Sequence, residues 1–448
     1  MKILGTVASS VRQAPGPPTI GTATDVGTAR AYNNGAATVT FTAPTLDGGL
    51  PILSYTATSS PGGFTATGIS SPLTVTGLVS STSYTFTVTA TNSRGIGAPS
   101  SASNSITATT VPQAPTIGTA TAGDASATVT YTAGATGGKA VSTYRATSSP
   151  GGQTGTGASP ITVSGLTNGT AYTFTVTATN ANGTSIASAA SNSVSPVSTT
   201  PIVTGGTLTS DATYYYRTFT TSGTLGITVN PVTCDVLTIG GGGSGGRDAG
   251  GGGGAGQVLL STNNTFSVGN RSVTVAGTTA IESSGSSSQF GSLTAAAGGN
   301  AGGSFNASGG SSGNGFAGGS GAVSFGNGVG GGGGGATAVG GNSPGISAGG
   351  NGGAGISTYS SWASATGTGV GGSYAGGGGG GGNSNVPADG GSGGSGGGGA
   401  GGTGAGAGNG TANTGSGGGG SGYNQLQTSG QGASGIVIVR YTRSQVGG

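Results

Sequence analysis

Apolar and polar residues alternate strictly in the clearest segment of this chain. Residues 84–92 read YTFTVTATN, so aromatic and aliphatic side chains occupy every second position and threonine fills most of the positions between them. A period of two is the pattern of a strand with one buried and one solvated face. Threonine suits the solvated face because it combines β-propensity with a hydroxyl group. The pattern predicts an antiparallel sheet.

The same segment returns, with every residue identical, at 172–180. Further upstream, TIGTAT at 19–24 returns at 116–121, so the offset between the two copies falls from 97 to 88. The first copy therefore carries additional residues, which we place around 26–35. Short strands broken by Pro-Gly-Gly and Asp-Gly-Gly turns predict a β-sandwich for each copy.

Two tyrosines give these copies a resemblance to a known family. In both copies a leucine precedes a tyrosine across five residues: Leu78 and Tyr84, Leu166 and Tyr172. This spacing resembles the tyrosine corner of fibronectin type III domains, and the resemblance covers about residues 15–199. It implies sandwich domains that often serve as spacers, since the fold alone does not fix a function. In place of the family's core tryptophan, the copies have Phe41 and Tyr131.

The composition changes at about residue 240. Of the 108 glycines, 83 lie beyond residue 200, many of them in runs of four or more. Glycine loses more backbone freedom on ordering than any other residue, which favours a flexible linker. The tract nevertheless ends in Ile436-Val437-Ile438-Val439, a strongly β-prone segment. We therefore interpret the tract as an insertion between strands of one glycine-rich β domain.

Glycine segments can become ordered by packing side by side. Chains without side chains approach closely as polyproline-II-like strands, and their N–H and C=O groups can then bond to neighbouring segments. We expect polyglycine-II-like layers, with Asn, Ser and aromatic residues at the turns between them. The entry into polyglycine after residues 236–239 and the closing strand resemble the glycine-rich domains of phage tail fibres and tail-tip adhesins. This resemblance covers about residues 202–443.

Composition also narrows the chemistry. Charged residues make up 4% of the chain, histidine is absent and Cys234 is the single cysteine. Histidine is the commonest general base and metal ligand, and nucleic-acid binding requires clustered basic residues. No segment has the roughly 18 apolar residues that a membrane helix needs. The start of the chain lacks the apolar core of a secretory signal. We expect no enzyme activity, cofactor, metal, nucleic-acid partner or membrane insertion.

Few residues are available for specific contacts. Aromatic residues between glycine blocks predict exposed rings on turns, able to stack on sugars or on a protein receptor, namely Tyr359, Trp362, Tyr374 and Tyr423. The alternative interpretation is that each ring caps a local glycine layer. Near the start of the chain, apolar residues with no domain to bury them are candidates for attachment to a particle, or else form a frayed terminus: Ile3, Leu4 and Val7.

The expected organisation is all-β and has four parts. An attachment segment at 1–14 precedes fibronectin-like domains at 15–111 and 112–200 and a glycine-rich β domain at 201–448. We expect a phage virion protein assembled in the host cytoplasm, a tail fibre or tail-associated adhesin that forms a homo-oligomer. Its N-terminus would bind other virion proteins, and its C-terminal domain would bind a host-surface glycan or protein. Two alternatives remain open, a head fibre or capsid-decorating protein and a bacterial surface adhesin.

Overall fold

The chain divides into two compact units, Met1–Ser198 and Thr199–Gly448. The first contains both sequence repeats, and the second contains the glycine tract. The computed structural model describes most of the chain, namely residues 12–305, 307–324, 327–383, 389–403, 406–423 and 428–447. The predicted attachment residues Ile3, Leu4 and Val7 lie outside the described residues.

Domain 1 is a sandwich of antiparallel strands. Its strands are β1 (Thr19–Asp25), β2 (Gly35–Thr42), β3 (Ser54–Ser60), β4 (Thr65–Gly68), β5 (Leu73–Leu78), β6 (Ser83–Asn92), β7 (Gly95–Ile96) and β8 (Ile106–Thr107). One sheet has the order β1-β2-β5, and the other has the order β4-β3-β6-β7, with β8 also paired to β6. The alternation predicted for β6 is confirmed, because the buried side chains are Tyr84, Phe86, Val88 and Ala90.

Domain 2 repeats this architecture. Its strands are β9 (Thr116–Ala122), β10 (Ser126–Thr132), β11 (Val141–Ser149), β12 (Thr154–Thr156), β13 (Ile161–Ser164), β14 (Thr173–Asn180) and β15 (Gly183–Thr184). They form sheets of order β13-β10-β9 and β12-β11-β14-β15. The core lies between the sheets and includes Ile161, Phe174 and Val176. The prediction of two fibronectin-type sandwiches is confirmed.

The predicted tyrosine corner is present in both domains. The hydroxyl group of Tyr84 accepts a hydrogen bond from the N–H of Val79 at 3.0 Å, which ties β6 to the loop before it. The equivalent bond in domain 2 has a length of 3.1 Å and joins Tyr172 and Thr167. The aromatic residues that replace the family's tryptophan are ring-paired, with centroids 4.8 and 4.7 Å apart: Phe41 with Tyr55, and Tyr131 with Tyr144.

The additional residues of domain 1 form its junction with domain 2. The loop between β1 and β2 spans 26–34, whereas the equivalent loop of domain 2 spans only 123–125. Within the longer loop, the N–H of Ala29 donates to the carbonyl oxygen of Asn182 at 2.8 Å. The carbonyl oxygen of Arg30 accepts from the N–H of Val111 at 3.0 Å. The insertion indicated by the changing repeat offset therefore holds the two domains together.

The second unit combines two antiparallel sheets with the glycine tract. Its elements are β16 (Ile202–Thr204), β17 (Thr207–Ser210), β18 (Tyr214–Phe219), β19 (Gly223–Thr228), β20 (Val232–Ile239), β21 (Val258–Phe266), β22 (Gly269–Thr274), β23 (Gln289–Phe290), β24 (Ala322–Ser324), β25 (Asn327–Val329), α1 (Ser360–Thr366), β26 (Ile436–Thr442) and a 3-10 turn at Arg443–Val446. The sheets have the orders β17-β18-β26-β20-β21 and β16-β19-β22-β23, and β24 and β25 form a separate hairpin.

The closing strand β26 lies at the centre of the five-stranded sheet. Both of its faces are buried, as its uninterrupted apolar sequence predicts. Val437 and Val439 pack into the core shared by the two sheets. Ile436 and Ile438 pack on the opposite face against residues of the glycine tract and α1. The expectation that the tract is inserted between strands of one domain is confirmed by the pairing of β26 with β20, which enters the tract.

The glycine tract is a lattice of extended segments in which hydrogen bonds repeat every third residue. Along 251–257, successive N–H groups donate at 2.8–2.9 Å to three neighbouring segments in turn and then return to the first. The acceptors, in order, are the carbonyl oxygens of Gly303, Gly331, Gly418, Asn300, Gly334, Gly415 and Ala297. Three residues per turn is the period of a polyproline-II helix. The predicted polyglycine-II-like packing is confirmed.

Six segments surround 251–257. It donates to three of them and accepts hydrogen bonds from three others, 240–246, 310–313 and 378–381. All of its backbone N–H groups and all of its carbonyl groups except that of Gly256 are thereby paired, as burial favours. The close approach excludes most side chains, because a Cβ placed on Gly253 would lie 2.1 Å from the carbonyl oxygen of Gly243. Glycine is therefore the residue that permits the lattice.

Side-chain amides complete the lattice at its surface. An outer segment lacks a neighbour on one side, so every third N–H has no lattice carbonyl to bond. Asparagine oxygens take this place at 2.8–2.9 Å for the N–H groups of Ser320, Ser392 and Gln431, the respective acceptors being Asn342, Asn351 and Asn409. The expectation that Asn and Ser gather at the turns is therefore incomplete, since they also lie along the outer segments.

Candidate functional site

The lattice has two ends that differ in what they carry. At the sheet-proximal end, Gly240 follows β20 and Gly435 precedes β26. At the opposite end, which we call the distal end, a chain of backbone hydrogen bonds runs from Gly330 through Gly381, Gly250, Ser421, Gly246 and Gly251 to Gly303. Loops connect neighbouring segments at both ends. A candidate residue in a loop at the sheet-proximal end lies beside the sheets, and one in a loop at the distal end lies far from them.

Trp362 lies at the sheet-proximal end and is buried. It belongs to α1, a short helix that packs on β17 and β18, and only 3% of its surface is exposed. Its ring meets the ring of Tyr216 edge-on, with centroids 5.8 Å apart. The expectation of an exposed ring on a turn is therefore wrong for Trp362. The apolar face of the short helix and the aromatic residues of β18 bury it.

Arg440 joins this aromatic group to the central strand. Its guanidinium carbon lies 4.3 Å from the ring centroid of Tyr214 and 4.5 Å from that of Trp362. The same guanidinium pairs with the Asp235 carboxylate at 2.6 Å. Nearby, Tyr216 donates its hydroxyl proton to Asp211 at 2.6 Å, and burial together with this hydrogen bond raises the pKa of Tyr216 to about 12. The group is a stabilising contact between β26 and α1.

The other aromatic candidates are divided between the two ends. Tyr374 is fully buried beside α1, and its hydroxyl group bonds to Thr368, so the expectation of an exposed ring is wrong here too. Tyr359 is half-buried at the start of α1. Burial raises the pKa of both tyrosines. Tyr423 lies at the distal end, where its N–H donates to Gly382, and its side chain is exposed. A receptor-binding role for Tyr359 and Tyr423 stays a prediction.

The distal end carries large apolar side chains in contact with solvent. They lie in the loops that join lattice segments there, and their exposed fractions are 73%, 64% and 42% for Phe305, Val323 and Ile346. Arg247 and Glu282 form a half-exposed ion pair at 3.9 Å beside the loop that carries Phe305. Single exposed apolar residues are ordinary, but several in neighbouring loops form a surface suited to binding. We call Phe305, Val323, Ile346 and Tyr423 the distal cluster.

Sequence reasoning missed three members of this cluster. Phe305 and Ile346 stand singly between glycine-rich segments, with no aromatic or branched apolar residue within four positions, whereas Val323 has Phe325 two positions away. The isolation of Phe305 and Ile346 was the available signal. It was overlooked in favour of the indole ring of Trp362, which is larger.

The described residues contain no group of three or more side chains that could hold a metal ion. Cys234 is buried, and burial together with the charge of Asp235 raises the pKa of its thiol to about 12. A thiol held in its protonated form is a poor nucleophile. Among the described residues, none of the helices has the length and apolar character to cross a membrane.

Solved structures that match this chain share little sequence identity with it. The FN1–FN3 domains of chicken CNTN1 share 16% identity, with 63% of this chain and 95% of that chain covered and a TM-score of 0.26. Titin kinase and its flanking domains share 18% identity, with 27% of this chain and 28% of that chain covered and a TM-score of 0.18. These scores are too low for either structure to inform function. No curated protein matches the chain.

Family models cover both units. The fibronectin type III domain matches residues 24–106 and 112–194, in agreement with the two sandwiches. This combination of domains is typical of adhesin-like binding proteins and structural proteins. The glycine-rich domain model matches residues 217–442, half of the chain, and the chain therefore belongs to the glycine-rich domain family.

Proposed function

We propose that this protein is a structural component of a tailed-phage particle, a tail fibre or tail-associated adhesin, and that its glycine-rich domain binds the host surface through the distal cluster. The observation that carries the proposal is the distal cluster, in which four large apolar or aromatic side chains are exposed, whereas the described lattice loops at the sheet-proximal end expose two, Val339 and Val370. Along the lattice sides, outward positions hold small or polar residues such as Asn351 and Ser392. The distal end therefore offers the contact area that specific recognition needs.

The lattice supports recognition by anchoring the distal loops that carry Phe305 and Ile346. The loop that contains Phe305 begins after Gly303, which is bonded to Ser308, and Phe305 itself donates its N–H to Arg247. The loop that contains Ile346 is followed by Gly350, which is bonded to Gly330. Loops anchored in this way lose less conformational entropy on binding than free loops do. A host-surface protein or glycan is the expected ligand, and apolar and aromatic side chains suit both.

The remaining segments have supporting roles in this proposal. The fibronectin-type domains act as spacers that carry the glycine-rich domain away from the particle. Residues 1–14, with Ile3, Leu4 and Val7, attach the chain to other virion proteins. The assembled protein is a homo-oligomer. Since charged residues make up only 4% of the chain, binding should depend little on salt.

Placement on the particle distinguishes the proposal from its alternatives. Gold-labelled antibodies against the full-length protein should mark the tail of phage particles in electron micrographs. Labelling of the capsid would instead identify a head fibre or capsid-decorating protein, with the same domains in another place. Labelling of uninfected bacterial cells would identify a surface adhesin. Either of these outcomes would contradict the tail assignment.

A further inference from the structure

The residues before each fibronectin-type domain are held in the same way. In domain 1, the N–H of Gln13 donates to Gly48 at 3.1 Å, and the carbonyl oxygen of Gln13 accepts from the side-chain amide of Asn92 at 2.9 Å. In domain 2, the N–H of Thr110 donates to Gly137 at 2.8 Å, and the carbonyl oxygen of Thr110 accepts from the side-chain amide of Asn180 at 2.9 Å. Gln13 therefore occupies, on domain 1, the place that Thr110 occupies on domain 2.

On domain 2, the surface around this position is covered by domain 1. Two backbone hydrogen bonds cross the junction. On the side of domain 2, the acceptor is the carbonyl oxygen of Asn182, and the donor is the N–H of Val111 in the segment that leads into the domain. A Cβ placed on the neighbouring Gly138 would lie 3.2 Å from the carbonyl oxygen of Ala108 and 3.5 Å from the backbone nitrogen of Ser81, both in domain 1. An end of one sandwich thus sits on this surface of the next.

On domain 1, none of the described residues covers the equivalent surface as domain 1 covers it on domain 2. The positions that match Asn182 and Val111 are Arg94 and Ala14, and within the described residues the carbonyl oxygen of Arg94 and the N–H of Ala14 have no hydrogen-bond partner. Gly49, which matches Gly138, meets only the side chain of Arg12. Ile96, on the adjacent β7, is 69% exposed. The donor and the acceptor that bind a sandwich domain on domain 2 are therefore repeated on domain 1.

We propose that this surface, formed by Gln13, Ala14, Gly49, Arg94 and Ile96 and called here the N-terminal seat, binds the end of a β-sandwich domain other than the two in this sequence. That domain supplies one backbone N–H and one carbonyl oxygen from an end loop, as residues 29–30 do for domain 2. The seat differs from its counterpart on domain 2 in charge, because Arg94 replaces Asn182 and Arg12 replaces Thr109. The partner's loop should therefore carry carboxylates.

A second copy of this chain does not provide such a domain. The loop that covers the seat of domain 2 is the insertion at 26–34, and in every copy that loop is already engaged by the copy's own domain 2. Domain 2 has no comparable insertion, since its equivalent loop is 123–125. The partner domain is therefore neither of the two domains in this sequence.

Photo-crosslinking of the full-length protein tests the seat. Benzoylphenylalanine is introduced at Ile96, and at Val79 as a matched control, because Val79 is also exposed but lies near the start of β6 rather than near its end. The protein is irradiated in the cells or particles that naturally contain it, and crosslinked peptides are identified by mass spectrometry. We expect an adduct at position 96, and none at position 79, with an end loop of a β-sandwich domain other than the two in this sequence.

Charge reversal completes the test. Arg94→Glu should lower the yield of the adduct at position 96 by about tenfold, and Arg94→Lys should retain most of it. Arg94 is exposed, so an unchanged melting curve should accompany the loss. Absence of an adduct at position 96, an adduct with a domain of another fold or with this chain itself, or a yield that Arg94→Glu does not change would each overturn the proposal.

Discussion

The guanidinium group of Arg440 stacks on the indole ring of Trp362 at 4.5 Å, although 78 positions separate the two residues in the sequence. Arg440 belongs to β26, which closes the glycine-rich domain, and Trp362 belongs to α1, which interrupts the lattice. The contact places the only tryptophan of the chain in the core, so Trp362 does not contribute to an exposed surface. The first prediction follows from this contact.

Replacement of Trp362 should destabilise the glycine-rich domain. Trp362→Ala removes a buried ring from the contact with Tyr216 and Arg440 and should lower the free energy of unfolding by about 3–5 kcal/mol. Chemical denaturation followed by tyrosine fluorescence and circular dichroism measures this change. Trp362→Phe, which keeps a ring, serves as the control and should cost clearly less. Equal stability of Trp362→Ala and the unchanged protein would contradict the buried position.

The lattice should be intolerant of a single methyl group in its interior. Gly253→Ala would place a Cβ 2.1 Å from a carbonyl oxygen, so neighbouring segments must shift, at a cost of about 1–3 kcal/mol or more. Gly277→Ala is the matched control, because a Cβ there has no heavy atom within 4 Å and the backbone lies outside the left-handed region. Thermal denaturation should show a lower Tm for Gly253→Ala and an unchanged or slightly higher Tm for Gly277→Ala. Similar Tm values for both variants would refute the lattice.

Removal of the closing strand should unfold the second unit. Truncation after Ser434 deletes four fully buried aliphatic side chains, from Ile436 to Val439, whose burial contributes about 1.5–3 kcal/mol each. The sum is comparable with the net stability of a whole domain. Truncation after Thr442 keeps β26 and should retain the melting transition. A cooperative transition of the glycine-rich domain that survives truncation after Ser434 would show that the lattice folds without its sheet.

The thiol of Cys234 should report unfolding. Burial raises its pKa to about 12 from an ordinary value near 9, so the folded protein keeps the proton where the unfolded chain releases it. Because the unfolded state then binds fewer protons, this thiol makes stability fall as the pH rises through the range between those values. At pH 8, iodoacetamide should label Cys234 only in denaturant. Rapid labelling of the native protein would place the thiol at the surface.

Hydrophobic periodicity in short segments was enough to predict the strands. The alternation around Phe86 and the apolar run from Ile436 to Val439 were sufficient to identify strands, because burial on one or both faces leaves a direct trace in the sequence. The lattice was predictable because only glycine permits its spacing. The burial of Trp362 was not predictable in this way, since Tyr216 and Arg440 reach it from distant parts of the chain.

The end at which each turn lies was also beyond the sequence. Consecutive lattice segments run in opposite directions, so the end occupied by a residue such as Phe305 depends on the number of turns before it. Short turns, such as the one at residues 281–282, and runs interrupted by serine and alanine obscure that number. Phe305, Val323 and Ile346 lie at the same end only because the lattice brings three loops, separated in the sequence, to that end.

Binding of purified full-length protein to host cells tests the central claim most directly. A variant with Phe305→Ser, Val323→Ser and Ile346→Ser at the distal end is compared with a matched variant, Val339→Ser and Val370→Ser, whose side chains are exposed in loops at the sheet-proximal end. Truncation of a binding hot spot typically costs about 2 kcal/mol or more, roughly thirtyfold in affinity. The distal variant should lose binding by at least that factor with its Tm unchanged, and the proximal variant should bind as before. Undiminished binding by the distal variant, or equal losses in both, would contradict the claim that the protein recognises its host through the distal end.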